Sequence, residues 1–287
     1  MINTYKTMSS RHQMDGTDDY YDIYFFGDIH RFVKSCDVER WRWFLKRSKK
    51  AVEERPDRTL FFGLGDYDDF ASTREKVELA KMHETTIEGL EEMTEKRTRV
   101  LAMEMKHMRG RTVGLIEGNH HWLYANGETT TMHLADRLES QYLGWLCHYT
   151  MTFDFVGHNK SSAIHLVLCH GKAGGKRAGA SINQVEDMKN IFPAADIYVM
   201  GHNHQREAKP VSVLLPTYSK YGYKIKQKRQ WLCRSGSFKK AYEANTAGYE
   251  IGRLLSPADL GAIKLRISFH RDTKEGDRLI TDISAEI

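Results

Sequence analysis

The chain has 287 residues, 40% hydrophobic and 28% charged, a balance that fits a soluble globular protein with a real core and argues against a disordered or fibrous chain. The polar start lacks the apolar stretch of a signal peptide and no run approaches a membrane span, so the expectation is a cytoplasmic protein with no membrane contact. A net charge of +5 permits a polyanionic partner without requiring one, and Cys36, Cys147, Cys169 and Cys233 form no CxxC pair, which argues against a zinc ribbon or a disulfide framework.

Residues 1–19 read as a loose N-terminal leader. An apolar strand at Tyr21–Phe26 ends in Gly27-Asp28-Ile29-His30. A helix follows over Asp37–Glu54, with Trp41, Phe44, Leu45 and Val52 on one face and Pro56 closing it. The run Thr59–Phe62 leads into Gly63-Leu64-Gly65-Asp66-Tyr67-Asp68-Asp69. From Ser72 to Arg109 only Gly89 interrupts a helical pattern; Leu90, Met93, Leu101, Met105 and Met108 recur at helical steps. This long helix reads as an insertion that either packs beside the domain or caps its site.

Val113–Ile116 is a strand ending in Glu117-Gly118-Asn119-His120-His121. A helix is expected over Thr130–Trp145, then strands at Tyr149–Val156 and Ala163–Cys169, the second running into His170. The glycine-rich loop 172–179 precedes a short helix at Ser181–Phe192, and the strand Asp196–Met200 ends in Gly201-His202-Asn203-His204. Strands are expected at Val211–Leu215, Lys220–Lys228, Gln230–Cys233, Tyr249–Arg253 and Ala262–His270. Alternating β and α in the first half and β-rich sequence in the second fit one layered domain over 20–287, because candidate ligands come from both halves.

The strand ends share a chemistry. Asp28-x-His30, Gly65-Asp66-x-x-Asp69, Gly118-Asn119-His120, His170 and Gly201-His202-x-His204 each follow an apolar run. Any one of them reads equally well as a capped turn. Five in one chain, all with metal-compatible side chains, point to a metal centre at the strands' C-terminal lip. They are too many for one ion. Two cations ~3.5–4 Å apart, bridged by one carboxylate, can clamp a phosphoryl group. His, Asp and an Asn carbonyl favour Mn, Fe, Zn or Co over Ca or Mg.

With its blocks in order, the chain resembles the calcineurin-like metallophosphoesterase superfamily, whose pattern is D-x-H, GD-x-x-D/N, GNH-D/E, H, GH-x-H. The resemblance covers about residues 20–240. It implies an α/β fold, a four-layer α/β/β/α sandwich of two mixed sheets flanked by helices. It implies two divalent metal ions, Mn2+ foremost, with Fe, Zn, Ni or Co as other occupants. Asp28, His30 and His204 would hold one metal and Asn119, His170 and His202 the other, with Asp66 between them. His120 would assist the leaving group and Asp69 would orient His120; Asp68, its neighbour, is the other candidate for that role. Two positions depart from the family: His121 stands where it has an acid, and Phe70 where its serine/threonine phosphatases carry Arg.

The activity so implied is phosphoric ester hydrolysis by a hydroxide held between the metals, with a nucleotide or nucleic-acid phosphodiester as the expected substrate. A small phosphomonoester and a phosphoprotein are the alternatives, and a non-catalytic scaffold of the same fold is a reading of another class. Two basic stretches bear on the substrate. In the loop 172–179, Lys172, Lys176 and Arg177 would bind a substrate phosphate, or the loop is an ordinary surface loop. In Tyr218–Arg234, lysines interleave with Tyr218, Tyr221, Tyr223 and Trp231, which suits a nucleic-acid partner, or else marks a hairpin with solvated lysines.

Overall fold

The computed structural model describes residues 4–16, 18–70, 84–157, 160–172, 179–219, 222–242, 257, 259–272 and 278–287. Two six-stranded mixed sheets stack face to face. One has the order β1-β6-β7-β8-β10-β9, the other β12-β11-β2-β3-β4-β5. The strands are β1 (Tyr5–Met14), β2 (Tyr20–Phe26), β3 (Thr59–Gly63), β4 (Thr112–Ile116), β5 (Gln141–Gly144), β6 (Leu146–Phe155), β7 (Ser161–Cys169), β8 (Ile197–Met200), β9 (Arg206–Ser219), β10 (Gly222–Ser235), β11 (Ile263–Asp272) and β12 (Arg278–Glu286).

Three apolar clusters make the layers. The largest lies between the sheets and joins Phe25, Phe62, Tyr149, Phe153, Leu166 and Phe269. A second lies on the outer face of the β2-β3-β4 sheet, under α1 (Val38–Glu54), α2 (Glu84–Glu104) and α3 (Thr130–Arg137). A third covers the outer face of the other sheet under α4 (Ala180–Asp187). The result is the four-layer α/β/β/α sandwich expected from the sequence. Strands β2 and β3 are buried along almost their whole length because both their faces are covered, which removes any period-two alternation; Asp22 is the acid in β2 and pairs with Arg266. No described helix is long and apolar enough to cross a membrane.

Four local expectations change. Residues 5–14 are no loose leader: they form β1, paired parallel with β6 from Tyr5 opposite Leu146 to Met14 opposite Phe155. The helix expected over Thr130–Trp145 stops at Arg137; Glu139 takes a left-handed φ of 52°, and the chain turns into β5. The two strands expected on either side of Arg229 are one, β10, hairpinned with β9. Finally β12 was not anticipated.

The described part of the long helix packs beside the domain. Its buried stripe runs through Thr94, Thr98, Leu101 and Met105, while Met93 is turned outward. Arg97 pairs with Asp68 at 2.6 Å, and Glu104 receives Arg31 and the Trp41 indole. Residues 72–83 of that expected helix and the expected strand Tyr249–Arg253 lie outside the described residues.

Candidate metal centre

All five motif blocks meet at one end of the sandwich. β2, β3, β4, β7 and β8 deliver them at their C-terminal ends, since β2-β3-β4 run parallel and β7 runs parallel to β8. The turns are unusual. Asp28, His30, Asp66, His202 and His204 all hold φ between 46° and 71°. Such left-handed residues cost ~1–3 kcal/mol each and persist only where surroundings hold them. The holding contacts are mutual. Asp28 N donates to Gly65 O at 3.0 Å and His30 N to Asp66 O at 3.1 Å, so the first two turns interlock. Gly118 leaves no room for a side chain, because a Cβ there would overlap Asp66.

Both buried carboxylates divide their oxygens in the same way. Asp28 Oδ2 accepts from His202 N at 2.8 Å, while Oδ1 has no hydrogen-bond partner and faces His204 Nε2 at 3.5 Å. Asp66 Oδ1 accepts from His120 N at 3.0 Å, while Oδ2 lies 3.1 Å from His170 Nε2 and 3.8 Å from His30 Nε2. One oxygen is tied to backbone and the other is offered inward. Asp66 thus stands between two histidine groups.

Two further observations fit a cation. His170 Nε2 lies 2.9 Å from both Asn119 Oδ1 and His202 Nδ1 besides its approach to Asp66. A single ring nitrogen cannot satisfy three such neighbours through one proton, whereas a metal ion at their focus would take a lone pair from each. His30 Nε2 is buried without a partner. Asp28, His30 and His204 form one group of donor atoms within 4.8 Å of one another, and Asp66, His170 and His202 a second. His170 has the other nitrogen fixed, donating from Nδ1 to Leu64 O at 2.7 Å, which leaves Nε2 as the ligand face.

The floor of the site is dry and its lip is wet: Asp28, His30, Asp66 and His170 are buried, and Asn119, His120, His202 and His204 are half-buried. Burial pushes the Asp28 carboxyl up and would do the same to Asp66, but the charge and hydrogen bond of His170 hold Asp66 well below the usual range. Burial disfavours charge on His170, and Asp66 overrides it, raising the ring to about 9. Burial lowers His202 to about 4 and carries His204 down too, which favours the neutral rings that ligate.

Asp69 faces His120 Nδ1 at close range and His30 Nδ1 at 3.2 Å, so it touches both rings at the lip. Asp68 points away into its ion pair with Arg97, and of the two acids Asp69 is the one beside His120. His121 is buried behind the site and bonds Gly118 O at 2.7 Å from Nδ1. It lies near Glu117, whose carboxylate is buried among the hydroxyls of Thr129, Thr131 and Tyr142. Phe70 sits under the Arg97 guanidinium. Lys172 is exposed and no described contact ties it to the centre; Lys176 and Arg177 lie outside the described residues.

Sequence reasoning missed Arg234 and Lys239. Arg234 is fully buried, and its guanidinium donates to Gly201 O at 2.7 Å, Ser181 O at 3.0 and 2.8 Å, and Gln184 Oε1 at 2.8 Å. Burial lowers it to about 10. It ties α4 to the turn that carries His202. Beyond it, Ser237 Oγ and Phe238 N both donate to Asp28 O at 3.0 Å. The chain does return to the site at Gly236-Ser237-Phe238, and Lys239 there acts as a positive charge on both His120 and His204.

No protein-family model matches the chain, and no curated protein matches it in sequence. Among solved structures it is similar to Vps29 of Chaetomium thermophilum, at 9% identity and a TM-score of 0.36, over 92% of this chain and 96% of that one. It is also similar to GAP50, the anchor in the inner membrane complex of Plasmodium, at 10% identity and a TM-score of 0.40, over 92% of this chain and 88% of that one. Those values are low, and the fold assigned to this chain rests on its own strand order and register.

Proposed function

We propose that this chain is a metal-dependent phosphoric ester hydrolase with a dinuclear centre. The observation that carries this is Asp66: one oxygen is fixed by His120 N and the other faces His170 on one side and His30 on the other. That is the placement a bridging carboxylate needs. Asp28, His30 and His204 would hold one ion, Asn119, His170 and His202 the other. Bound there, two divalent cations, Mn2+ first among the candidates, would neutralise phosphoryl oxygens and supply an activated water.

The chain's own residues complete the chemistry. His120 stands at the wet lip with its Nδ1 against Asp69, which fixes the tautomer and turns Nε2 outward as the proton donor to a leaving oxygen. Lys239 adds positive charge where an anionic substrate would dock. The buried floor excludes bulk water and strengthens every charge interaction at the phosphorus. A nucleotide or nucleic-acid phosphodiester is the substrate class we assign, from the basic loop 172–179 that follows His170; exposed Lys172, with Lys176 and Arg177, is assigned to its phosphates.

The test is hydrolysis of bis-(p-nitrophenyl) phosphate beside p-nitrophenyl phosphate by Mn2+-loaded protein. Faster turnover of the diester is expected. Preference for the monoester moves the substrate to small phosphomonoesters or phosphoproteins, and loaded protein that hydrolyses neither leaves a scaffold of this fold.

A further inference from the structure

β10 runs parallel to β8, and the two pair only from Trp231 to Arg234. Residues 222–230 therefore extend beyond β8, paired only with β9. Because Ser235 is at the metal-site end, the hairpin tip lies roughly 45 Å away along the strand, at the opposite end of the sandwich. This ribbon is the stretch in which basic and aromatic residues alternate.

Its charge is one-sided. The chain has 43 Lys and Arg against 38 Asp and Glu; residues 210–230 contain five of the basic residues and no acid, so the rest of the chain holds 38 of each sign. The whole net charge of the protein stands on this arm. The register sorts it by face. Lys224, Lys226 and Lys228 oppose Thr217, Leu215 and Val213 on one face, and Tyr223, Ile225, Gln227 and Arg229 oppose Tyr218, Pro216, Leu214 and Ser212 on the other. Successive lysines are ~6.8 Å apart along the strand, a regular row of positive charge. Lys228 is anchored to Asp196 at 2.8 Å; Lys224 and Lys226 are exposed.

The other face is aromatic and open. Tyr218 and Tyr223 are 85% and 56% exposed, and their rings meet edge to face with centroids 5.5 Å apart. Beside the arm, towards β12, lies a recess of about 840 Å³ whose walls include Pro216, Trp231 and Ile283, with Lys226, Lys228 and Arg229 as cations and Asp196 and Asp282 as acids. Trp231 forms one wall of the recess from a side chain 7% exposed.

We infer that the free part of the β9–β10 ribbon, with the recess beside it, binds single-stranded nucleic acid at the end of the molecule opposite the metal centre. Lysines and Arg229 meet phosphates, the tyrosines offer ring faces to bases, and the recess has room for a base that a duplex would keep stacked. This goes beyond the hydrolytic reading and does not depend on it.

The experiment is fluorescence anisotropy of the whole chain with a fluorescein-labelled oligothymidylate of about 20 nucleotides, in EDTA so that no cleavage intervenes. Wild-type protein should bind, with affinity falling steeply with salt. Lys224→Glu/Lys226→Glu/Arg229→Glu should weaken binding at least thirtyfold and flatten the log–log salt slope by about 2, three phosphate contacts at ~0.7 each. Lys224→Gln/Lys226→Gln should move both readouts the same way by less. Tyr218→Ala/Tyr223→Ala should weaken binding roughly tenfold with the slope unchanged. Absence of wild-type binding at about 50 mM salt, equal affinity for a duplex, or an unaffected charge-reversal variant overturns the assignment. Each variant's unfolding transition, matched to wild type, shows that the fold is kept. Hydrolysis of the nitrophenyl diester without oligonucleotide binding would sink this inference alone; binding without hydrolysis would sink only the enzyme.

Discussion

The two ends of the sandwich solve opposite problems. At the metal-site end, strands stop short in left-handed turns and charged side chains are buried, each held by backbone donors from another block. At the other end, two strands run on past their neighbours and expose cations and tyrosines that almost nothing else touches. Precision costs backbone strain and desolvation, and it needs contributions from distant parts of the chain. A surface that reads a polymer's charge needs none of this, because long lysines adapt to the ligand. Substitutions at the first end should therefore propagate, and those at the second should stay local.

The largest effects belong to the site. Asp66→Asn should remove bound metal, measured by elemental analysis after loading and desalting; full occupancy would break the two-ion assignment. His120→Ala should keep the metal and lower turnover of the diester about 10²–10⁴-fold, the usual contribution of a positioned proton donor. An unchanged rate would show that the ring does not take part.

Arg234→Met sharpens the contrast because it supports the first end from behind, through the turn that carries His202. It would strip donors from Gly201 O, Ser181 O and Gln184. Buried acceptors left alone cost ~1–3 kcal/mol each, and partial relaxation should leave a loss of roughly 2–4 kcal/mol in denaturant unfolding. Stability within error of wild type would mean that the His202 turn is held without it. The smallest effect is expected at Tyr218→Ser, whose exposed ring should change stability by no more than about 0.5 kcal/mol. A larger loss would make the arm part of the core.

Much of the site was legible because its signal is local: an apolar run, a glycine, then a ligand side chain, repeated in order. Asp28 and His204 are far apart in sequence yet carry the same mark. Arg234 carries no mark, since an arginine inside a strand reads as a solvent-facing residue until the neighbouring helix is seen to cover it. β1 was hidden for a similar reason. Tyr-Lys-Thr-Met-Ser-Ser-Arg-His-Gln-Met has a weak apolar pattern, and its strand exists because β6 offers an edge. Glu139 ended α3 against its own propensity, a tertiary override that periodicity does not register. The arm's composition was visible, but its distance from the metal site follows from strand polarity, which needs the sheet order.

The pairing of β1 with β6 also sets a timetable. Residues 5–14 leave the ribosome well before β6, and the edge they pair with is complete only at Phe155. At ordinary elongation rates that is a wait of roughly ten seconds, during which β1 has no sheet to join. So non-local a contact slows folding. Deleting residues 5–14 would leave β6 as a bare edge on every newly made molecule, and the first symptom would be aggregation during expression.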